Sequence, residues 1–402
     1  MNALRRCIAI PTRDFAEQHW GCRPLLTRGA ELPAGFDDLL DAGAVDELVS
    51  RRGLRTPFLR MAKDGELVPP ARYTRGGGAG ASIADQAADD RILDQLRDGA
   101  TLVLQALHRT WPPLLTFGSE LAAELGHPVQ INAYVTPPQN RGFAPHYDVH
   151  DVFVLQVAGR KRWRVHEPVL TDPLGDQPWE QRRAAVTARA AKAPIIDELL
   201  EPGDALYLPR GYLHSAVAQG ELSIHLTVGV HPVTRYQLVQ HLLAAAADEP
   251  ELRASLPMGL DLGDPAVLEP HLRDTLGALG RYLDGAGPED IADLVTGDLV
   301  RQTRPAPFGP LAQLAAVDAL DAGTVLRLRP ELRCTVARDD DSVKLRMLGK
   351  VVRLPATADA AVKTILSGES FTPAELPGLD AVEQVRVARL LLRESVVVPA
   401  PP

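Results

Sequence analysis

The sequence predicts an α+β chain built around an all-β, double-sheet barrel with flanking helices. Three observations carry that expectation. From residue 128 to about 232 apolar residues recur at every second position, the period of strands with one buried face. On either side the period lengthens to helix spacing. Inside the β-region, the blocks GFAPHYDVHDVF and GDALYLPRGYLHSA place two imidazoles and a carboxylate where strands can converge. With 402 residues the chain exceeds one simple core, so two or three domains are expected.

Residues 1–55 read as short helices, with Phe15, Trp20, Leu25 and Leu26 as apolar contacts. GFDDLLDAGAVDELVSRRG is helical up to Gly53. Residues 56–75 suggest strands around the turn Lys63-Asp64-Gly65. The run GGGAGA, Gly76 to Ala81, has no GK[ST] after it, so it is read as a mobile loop near a site rather than a phosphate cradle. Residues 89–98 and 111–125 read as helices, with a buried strand from Ala100 to Leu104 between them. VQINAYV alternates, placing Val129, Ile131, Ala133 and Val135 on one face and Gln130, Asn132 and Tyr134 on the other. DVFVLQVAGRKRWRV reads as two strands around Gly159, and PGDALYLPRGYLH turns at Gly203 and Gly211. This is the pattern of a double-sheet barrel with polar residues facing a lumen. Past residue 233 three helical segments follow, then a proline-rich linker at 304–312. The last 70 or so residues read as a small α/β unit with a hairpin around Gly349.

Composition narrows the function classes. Hydrophobic residues are 45% and charged residues 24%, an ordinary globular balance. A net charge of −9 argues against nucleic-acid binding by bulk electrostatics. Cys7, Cys22 and Cys334 are scattered, without a CxxC pair, which suits a reducing cytosol and argues against a disulfide framework or a cysteine-bound zinc site. The start has no apolar stretch of signal-peptide length, and no run of about 18 apolar residues exists, so no membrane association is expected.

His146, Asp148 and His214 are the strongest candidates for chemistry. Two imidazoles and one carboxylate form the facial triad that binds non-haem Fe(II) and leaves coordination positions open. His146 and Asp148 are two apart, so on a strand they share a face. His214 comes 66 residues after Asp148, and a folded-back strand brings it alongside. A lone histidine is more often a structural residue, and the chain has 11. The combination of HxD with the later Gly- and Pro-bearing block is what is specific. Asp151 and Gln156 are candidates for orienting the ligands. Tyr147 and His150 are assigned to the opposite face, and His225 and His231 to structural roles.

In GRKRWRV, Arg160, Arg162 and Arg164 share one face, and Lys161, Trp163 and Val165 the other. Trp163 and Val165 belong inside, so Lys161 does too. It either snorkels out, pairs with a protein carboxylate, or anchors a carboxylate of a small cofactor. The last option suits 2-oxoglutarate, whose keto-acid end chelates iron and whose far carboxylate takes a charge-assisted hydrogen bond. Asn132, Tyr134 and Thr227 are candidates for hydrogen bonds to cosubstrate or substrate, or for structural bonds within the barrel.

Over 130–232 these residues resemble the JmjC-type, cupin-like ribosomal oxygenases, which are 2-oxoglutarate- and Fe(II)-dependent protein hydroxylases. The resemblance implies a double-stranded β-helix (cupin/jelly-roll) barrel at 1–232, a helical dimerisation region at 233–303 and a winged-helix-like domain at 313–402. It implies iron ligation by His146, Asp148 and His214, binding of the distal 2-oxoglutarate carboxylate by Lys161, and cosubstrate or substrate contacts from Asn132 and Tyr134. It also implies O2 as oxidant, a ribosomal protein hydroxylated on arginine or histidine, and a homodimer. Some relatives carry a hydroxyl residue two positions after the threonine of HLT, where this chain has Gly229, so the cosubstrate pocket is expected either to lose one hydrogen bond or to use Thr227 instead. A non-catalytic cupin-like binding protein, an N-methyl demethylase and a small-molecule or peptide hydroxylase remain alternatives. From Glu331 to Pro402, 10 Lys/Arg balance 10 Asp/Glu, so a nucleic-acid role is not expected for that domain.

Overall fold

The computed structural model describes residues 2–400 except Ala81, Gly142 and Leu348. The chain divides into two compact units, Met1–Pro232 and Val233–Pro402.

In the first unit the strands are β1 (Leu25–Thr27), β2 (Leu59–Lys63), β3 (Glu66–Leu67), β4 (Thr74–Arg75), β5 (Gln86–Ala87), β6 (Thr101–Leu104), β7 (Val129–Thr136), β8 (Asp151–His166), β9 (Ile196–Leu200), β10 (Ala205–Leu208) and β11 (Leu213–Val230). The helices are α1 (Thr12–Gln18), α2 (Ala42–Arg51), α3 (Asp89–Arg97), α4 (Leu107–Thr110), α5 (Pro112–Leu125) and α6 (Arg183–Ala190). Nine strands among the described residues hydrogen-bond in the order β1-β10-β8-β11-β7-β6-β2-β3, with β9 also on β8; β4 and β5 form a separate pair. Among the described residues every ladder in this sheet is antiparallel, as expected when each strand buries one face.

Two long strands tie the expected pair of sheets into one hydrogen-bonded path. The first half of β8 lies between β10 and the end of β11; its second half lies between β9 and the start of β11. The expected break at Gly159 is therefore a correction: the strand runs through it. Gly159 (φ +61) instead takes a conformation that glycine tolerates, beside a register shift between Gln219 and Ile224 on β11. A Cβ at 159 would run into the Leu222 carbonyl. Gly159→Ala is expected to lower unfolding stability by about 2–4 kcal/mol, read from the denaturant midpoint. An unchanged midpoint would remove this account of the bend.

The helix predicted over 35–53 is shorter, because Asp41 caps α2: its carboxylate accepts from the Ala44 N–H at 2.7 Å. α5 begins with Pro112 and stops at Gly126 (φ 71), the usual asymmetry of helix ends. Phe117, Leu121, Ile131, Phe153 and Leu226 belong to one buried cluster that joins these helices to the outer face of the sheet. Gly76–Gly80 is irregular and exposed and does not line the cavity described below; Ala81 lies outside the described residues.

The second unit contains α7 (Arg235–Ala245), α8 (Pro265–Gly285), α9 (Pro288–Gln302), α10 (Pro310–Ala319), α11 (Asp359–Leu366) and α12 (Ala381–Arg393). Its strands are β12 (Leu326–Leu328), β13 (Thr335–Arg338), β14 (Ser342–Met347), β15 (Lys350–Pro355) and β16 (Val397–Pro399). β13, β14 and β15 form an antiparallel sheet, and β12 pairs with β16. Part of the expected linker is helical: Pro310 starts α10, where its missing N–H costs nothing. Gln313 on α10 is buried and donates to the carbonyls of Leu392 and Val397, both at 2.8 Å, fastening the helix to α12 and β16. Among the described residues no helix is long and apolar enough to cross a membrane.

Candidate metal centre

The structure brings His146, Asp148 and His214 together, with one possible ligand atom from each lying within 4.8 Å of the others. The route differs from the expectation. The HxD segment is not a regular strand; it is irregular apart from one antiparallel bridge, His146 to His214. The His146 N–H donates to the His214 carbonyl at 3.2 Å, and the His214 N–H returns a bond to the His146 carbonyl at 2.8 Å. The Gly211 N–H donates to the Asp148 carbonyl at 3.0 Å. Backbone bonds thus clamp the two ligand-bearing blocks directly. Gly142, in the first block, lies outside the described residues.

The imidazoles are oriented by carbonyls. His146 Nδ1 lies 2.8 Å from the Ala144 oxygen and His214 Nδ1 lies 3.1 Å from the Tyr212 oxygen. A carbonyl only accepts, so in each ring Nδ1 carries the proton and Nε2 keeps its lone pair for a metal. His214 Nε2 and Asp148 Oδ2 are 3.6 Å apart. Burial, with His146 nearby, pulls His214 down to about 4, keeping it in the neutral form a metal needs. Burial pushes the Asp148 carboxyl up, but the surrounding His150, His214 and His146, with Arg60, outweigh it and hold the group below the usual carboxylate range.

Asp151 and Gln156 do not orient these ligands, contrary to expectation. Asp151 accepts from the Tyr207 hydroxyl at 2.7 Å and from the Arg210 N–H at 2.9 Å. Gln156 donates to the Ala158 and Gly159 carbonyls and to Ser223 Oγ. The carbonyls of Ala144 and Tyr212 fill the role given to these side chains.

The centre opens into a cavity of about 410 Å³. Strand parity places Lys161 there: it is 4% exposed, whereas Arg160, Arg162 and Arg164 point outward. Lys161 Nζ donates to Thr136 Oγ1 at 3.0 Å, and among the described residues it has no carboxylate partner. Burial pulls its ammonium down to about 7. Beside it, the buried Trp163 Nε1 and His225 Nδ1 have no hydrogen-bond partner. Asn132, Tyr134 and Thr227 all line the cavity, with Asn132 opposite Thr227 in register. Asn132 Oδ1 is already engaged, accepting from the Ala106 N–H at 3.1 Å.

Sequence reasoning missed part of the wall. His225 is not only structural: it stacks on Tyr134 with ring centroids 4.9 Å apart and meets Trp163 edge-on at 5.4 Å. The available signal was parity: His225 lies two residues before Thr227, already a lumen candidate, so on one strand both share a face. His150 also lines the cavity instead of facing away; its Nε2 is 3.1 Å from Gln130 Nε2. It shares the parity of His146 and Asp148, which the assignment to the opposite face overlooked. Tyr147 is buried elsewhere, with its hydroxyl on the Gln177 carbonyl. His231 lies 5.1 Å from the His150 ring and does not line the cavity. Gly229 has a steric reason: a Cβ there would meet the His150 ring at 2.8 Å. Gly229→Ser is expected to cost roughly 1–3 kcal/mol of stability, largely relieved in a His150→Ala background; equal costs in both backgrounds would refute the contact.

A large antiparallel sheet, with two histidines and an aspartate facing a cavity that also buries a lysine, has the arrangement of a cupin-like site of the JmjC type that could hold a metal ion. Residues 118–238 match the JmjC domain model, so the chain carries a JmjC domain and is related through it to the ribosomal oxygenases. It is 30% identical to ribosomal oxygenase 1 of Gallus gallus over 264 residues, 63% of this chain and 42% of that protein. It is 41% identical to the bifunctional lysine-specific demethylase and histidyl-hydroxylase NO66 of Drosophila erecta over 137 residues, 32% of this chain and 20% of that protein. The chain thus spans well under half the length of these curated relatives. In fold it is similar to the Escherichia coli ribosomal oxygenase YcfD, solved in complex with cobalt and 2-oxoglutarate. That match covers 97% of this chain and 98% of the other, at 20% identity and a TM-score of 0.54.

Proposed function

We propose that this protein is a 2-oxoglutarate- and Fe(II)-dependent oxygenase that hydroxylates a side chain of a ribosomal protein, on arginine or histidine. The observation that carries this reading is the convergence of His146, Asp148 and His214 in one cavity with a buried Lys161 that has no carboxylate partner among the described residues. The donor set suits iron: two neutral imidazoles and a carboxylate leave coordination positions open. The remaining groups suit a dicarboxylate keto acid. Lys161 lacks an anion, and Trp163 Nε1 and His225 Nδ1 lack partners that a ligand's oxygens and water would supply.

In this reading His146, Asp148 and His214 hold the metal, Lys161 with Thr136 holds the distal carboxylate, and Asn132, Tyr134 and Thr227 line the space for cosubstrate or substrate. When bound, iron and 2-oxoglutarate supply O2 activation: the C1–C2 bond of 2-oxoglutarate breaks, one oxygen enters succinate with release of CO2, and the other enters the substrate C–H bond. The protein's part is to position the C–H group and exclude water. The test is mass spectrometry of ribosomes from cells with and without the protein. A gain of about 16 Da on a single residue is expected, the mass of one inserted oxygen. No difference, with no succinate formed from 2-oxoglutarate by the purified protein, would leave the non-catalytic alternative standing. The name of the NO66 relatives favours a second reading, lysine demethylation, which formaldehyde release would reveal.

Lys161 makes the cosubstrate reading pH-testable. Its ammonium is lowered to about 7, so above that pH the empty site holds a neutral amine, and binding a carboxylate restores the proton. Proton uptake is therefore expected on 2-oxoglutarate binding at pH 8, with affinity weakening as pH rises further. Binding heats that are the same in buffers of different ionisation enthalpy would contradict it.

The barrel with its N-terminal helices (1–232), a helical dimerisation region (233–303) and a winged-helix-like domain (313–402) are the proposed divisions. A cytoplasmic homodimer is the proposed state. Leu272, Leu276 and Leu283 of α8 are exposed apolar residues on helix-spaced positions, which supports pairing with a second copy. The balanced charge after Glu331 favours a protein contact over a nucleic acid for the last domain.

A further inference from the structure

A second cation faces the cavity, and beyond its pull on the Asp148 carboxyl the proposed function gives it no role. Arg60 lies on β2, and strand register determines where it points. Arg60 pairs with Val103, Val103 with Tyr134, and Tyr134 with His225, so one row crosses β2, β6, β7 and β11. Arg60 therefore shares a wall with Tyr134 and His225, and all three line the cavity. Its guanidinium lies 5.4 Å from the centroid of the Phe143 ring. Its Nε is buried and has no hydrogen-bond partner; the guanidinium hydrogen-bonds the Tyr134 hydroxyl and attracts the Asp148 carboxylate, but among the described residues no carboxylate makes an ion pair with it.

Charge around the cavity is unevenly placed. The lining contains two basic side chains, Arg60 and Lys161, and two acidic ones, Asp148 and Glu180. Asp148 is part of the metal cluster and Glu180 is exposed to water, where its charge is screened. Lys161 is taken up by the cosubstrate in the reading above. Arg60 is then left as a fixed positive charge facing an incoming side chain, with no buried carboxylate free to pair with a second cation.

We propose that Arg60 is a specificity-determining residue, a charge filter that admits a neutral side chain with a hydrogen-bond acceptor, such as an imidazole or carboxamide, and disfavours guanidinium and ammonium groups. The inference rests on the oxygenase reading and deepens it. Of the substrates considered, it selects neutral histidine over arginine, and it disfavours methylated lysine, hence demethylation. Like charges about 8 Å apart at the effective dielectric of a protein site disfavour each other by roughly tenfold or more in binding.

The test uses the full chain with Mn(II) and 2-oxoglutarate at pH 8. The probes are four N-acetylated, C-amidated pentapeptides differing only in a central His, Asn, Arg or Lys. Paramagnetic broadening of the peptide proton signals reads out binding even when it is weak. The wild-type protein is expected to bind the His and Asn peptides about tenfold more tightly than the Arg and Lys peptides. Arg60→Gln should erase that difference, and Arg60→Glu should reverse it. A wild-type preference for the cationic peptides, an equal loss for all four in the variants (the mark of a merely structural arginine), or no broadening by any peptide each overturns the assignment. Peptide-independent succinate formation with Fe(II) in place of Mn(II) reports on the oxygenase reading separately, so the two can fail independently.

Discussion

His146→Ala abolishes succinate formation from 2-oxoglutarate and lowers metal affinity by more than the 10–100-fold that follows loss of an outer-shell partner. That is the expected result, and Asp148→Ala should match it. The physical reason is the small number of donors: three side chains are brought within 4.8 Å, and removing one leaves two. The fold itself should survive, because the clamp between the blocks is made by backbone groups. The His146 N–H and carbonyl both bond to His214, and alanine keeps those atoms. Titration of the apo-protein with Fe(II) or Co(II), alongside circular dichroism, separates loss of metal from loss of fold. Full turnover by a correctly folded His146→Ala protein would end the proposal that this centre does the chemistry.

The second large effect is at Lys161. Lys161→Met is expected to weaken 2-oxoglutarate binding by roughly 30- to 1000-fold, the 2–5 kcal/mol typical of removing one partner of a buried, hydrogen-bonded charge pair. Metal affinity without cosubstrate should change little, since the role proposed for Lys161 is to hold the carboxylate and not the metal. The same substitution should make the empty protein more stable. The sign follows from the lowered ammonium: below about pH 7 the folded protein must hold a buried charge that the unfolded chain keeps in water. That cost is fully present below pH 7, fades as pH rises from there towards 10.5, and is absent above it. The stabilisation by Lys161→Met, on the order of a few kcal/mol, is therefore largest at neutral and lower pH. Denaturant midpoints of both proteins at pH 6.5 and pH 10 measure it. A variant with wild-type 2-oxoglutarate affinity would show that the carboxylate is held elsewhere.

These two predictions were legible in the chain itself because they depend on local periodicity. Strand parity alone turned Lys161 inward and Arg160, Arg162 and Arg164 outward, and alternation in VQINAYV put Gln130, Asn132 and Tyr134 on one face. The ligand residues were chosen by type and spacing, although the local reason given for His146 and Asp148 was incomplete. They share a direction because a single bridge to His214 holds an otherwise irregular segment. Gly159 misled in the same way. A glycine inside alternating residues resembles a turn, yet here it relieves a close backbone approach within one continuous strand.

What the amino-acid order determined by itself was the β-period of the centre, the helical flanks, the triad and the inward lysine. Each follows from residue type and a repeat of two or 3.6, information carried by neighbours along the chain. Only the tertiary structure decided which distant residues complete the wall. Arg60 reaches it because β2 pairs with β6 and β6 with β7 in one particular register, and a shift of one residue would turn its side chain to the other face. His150 fits because Gly229, 79 positions later, leaves room for its ring. Such pairings are set by long-range packing and hydrogen bonding between strands, and no local repeat encodes them.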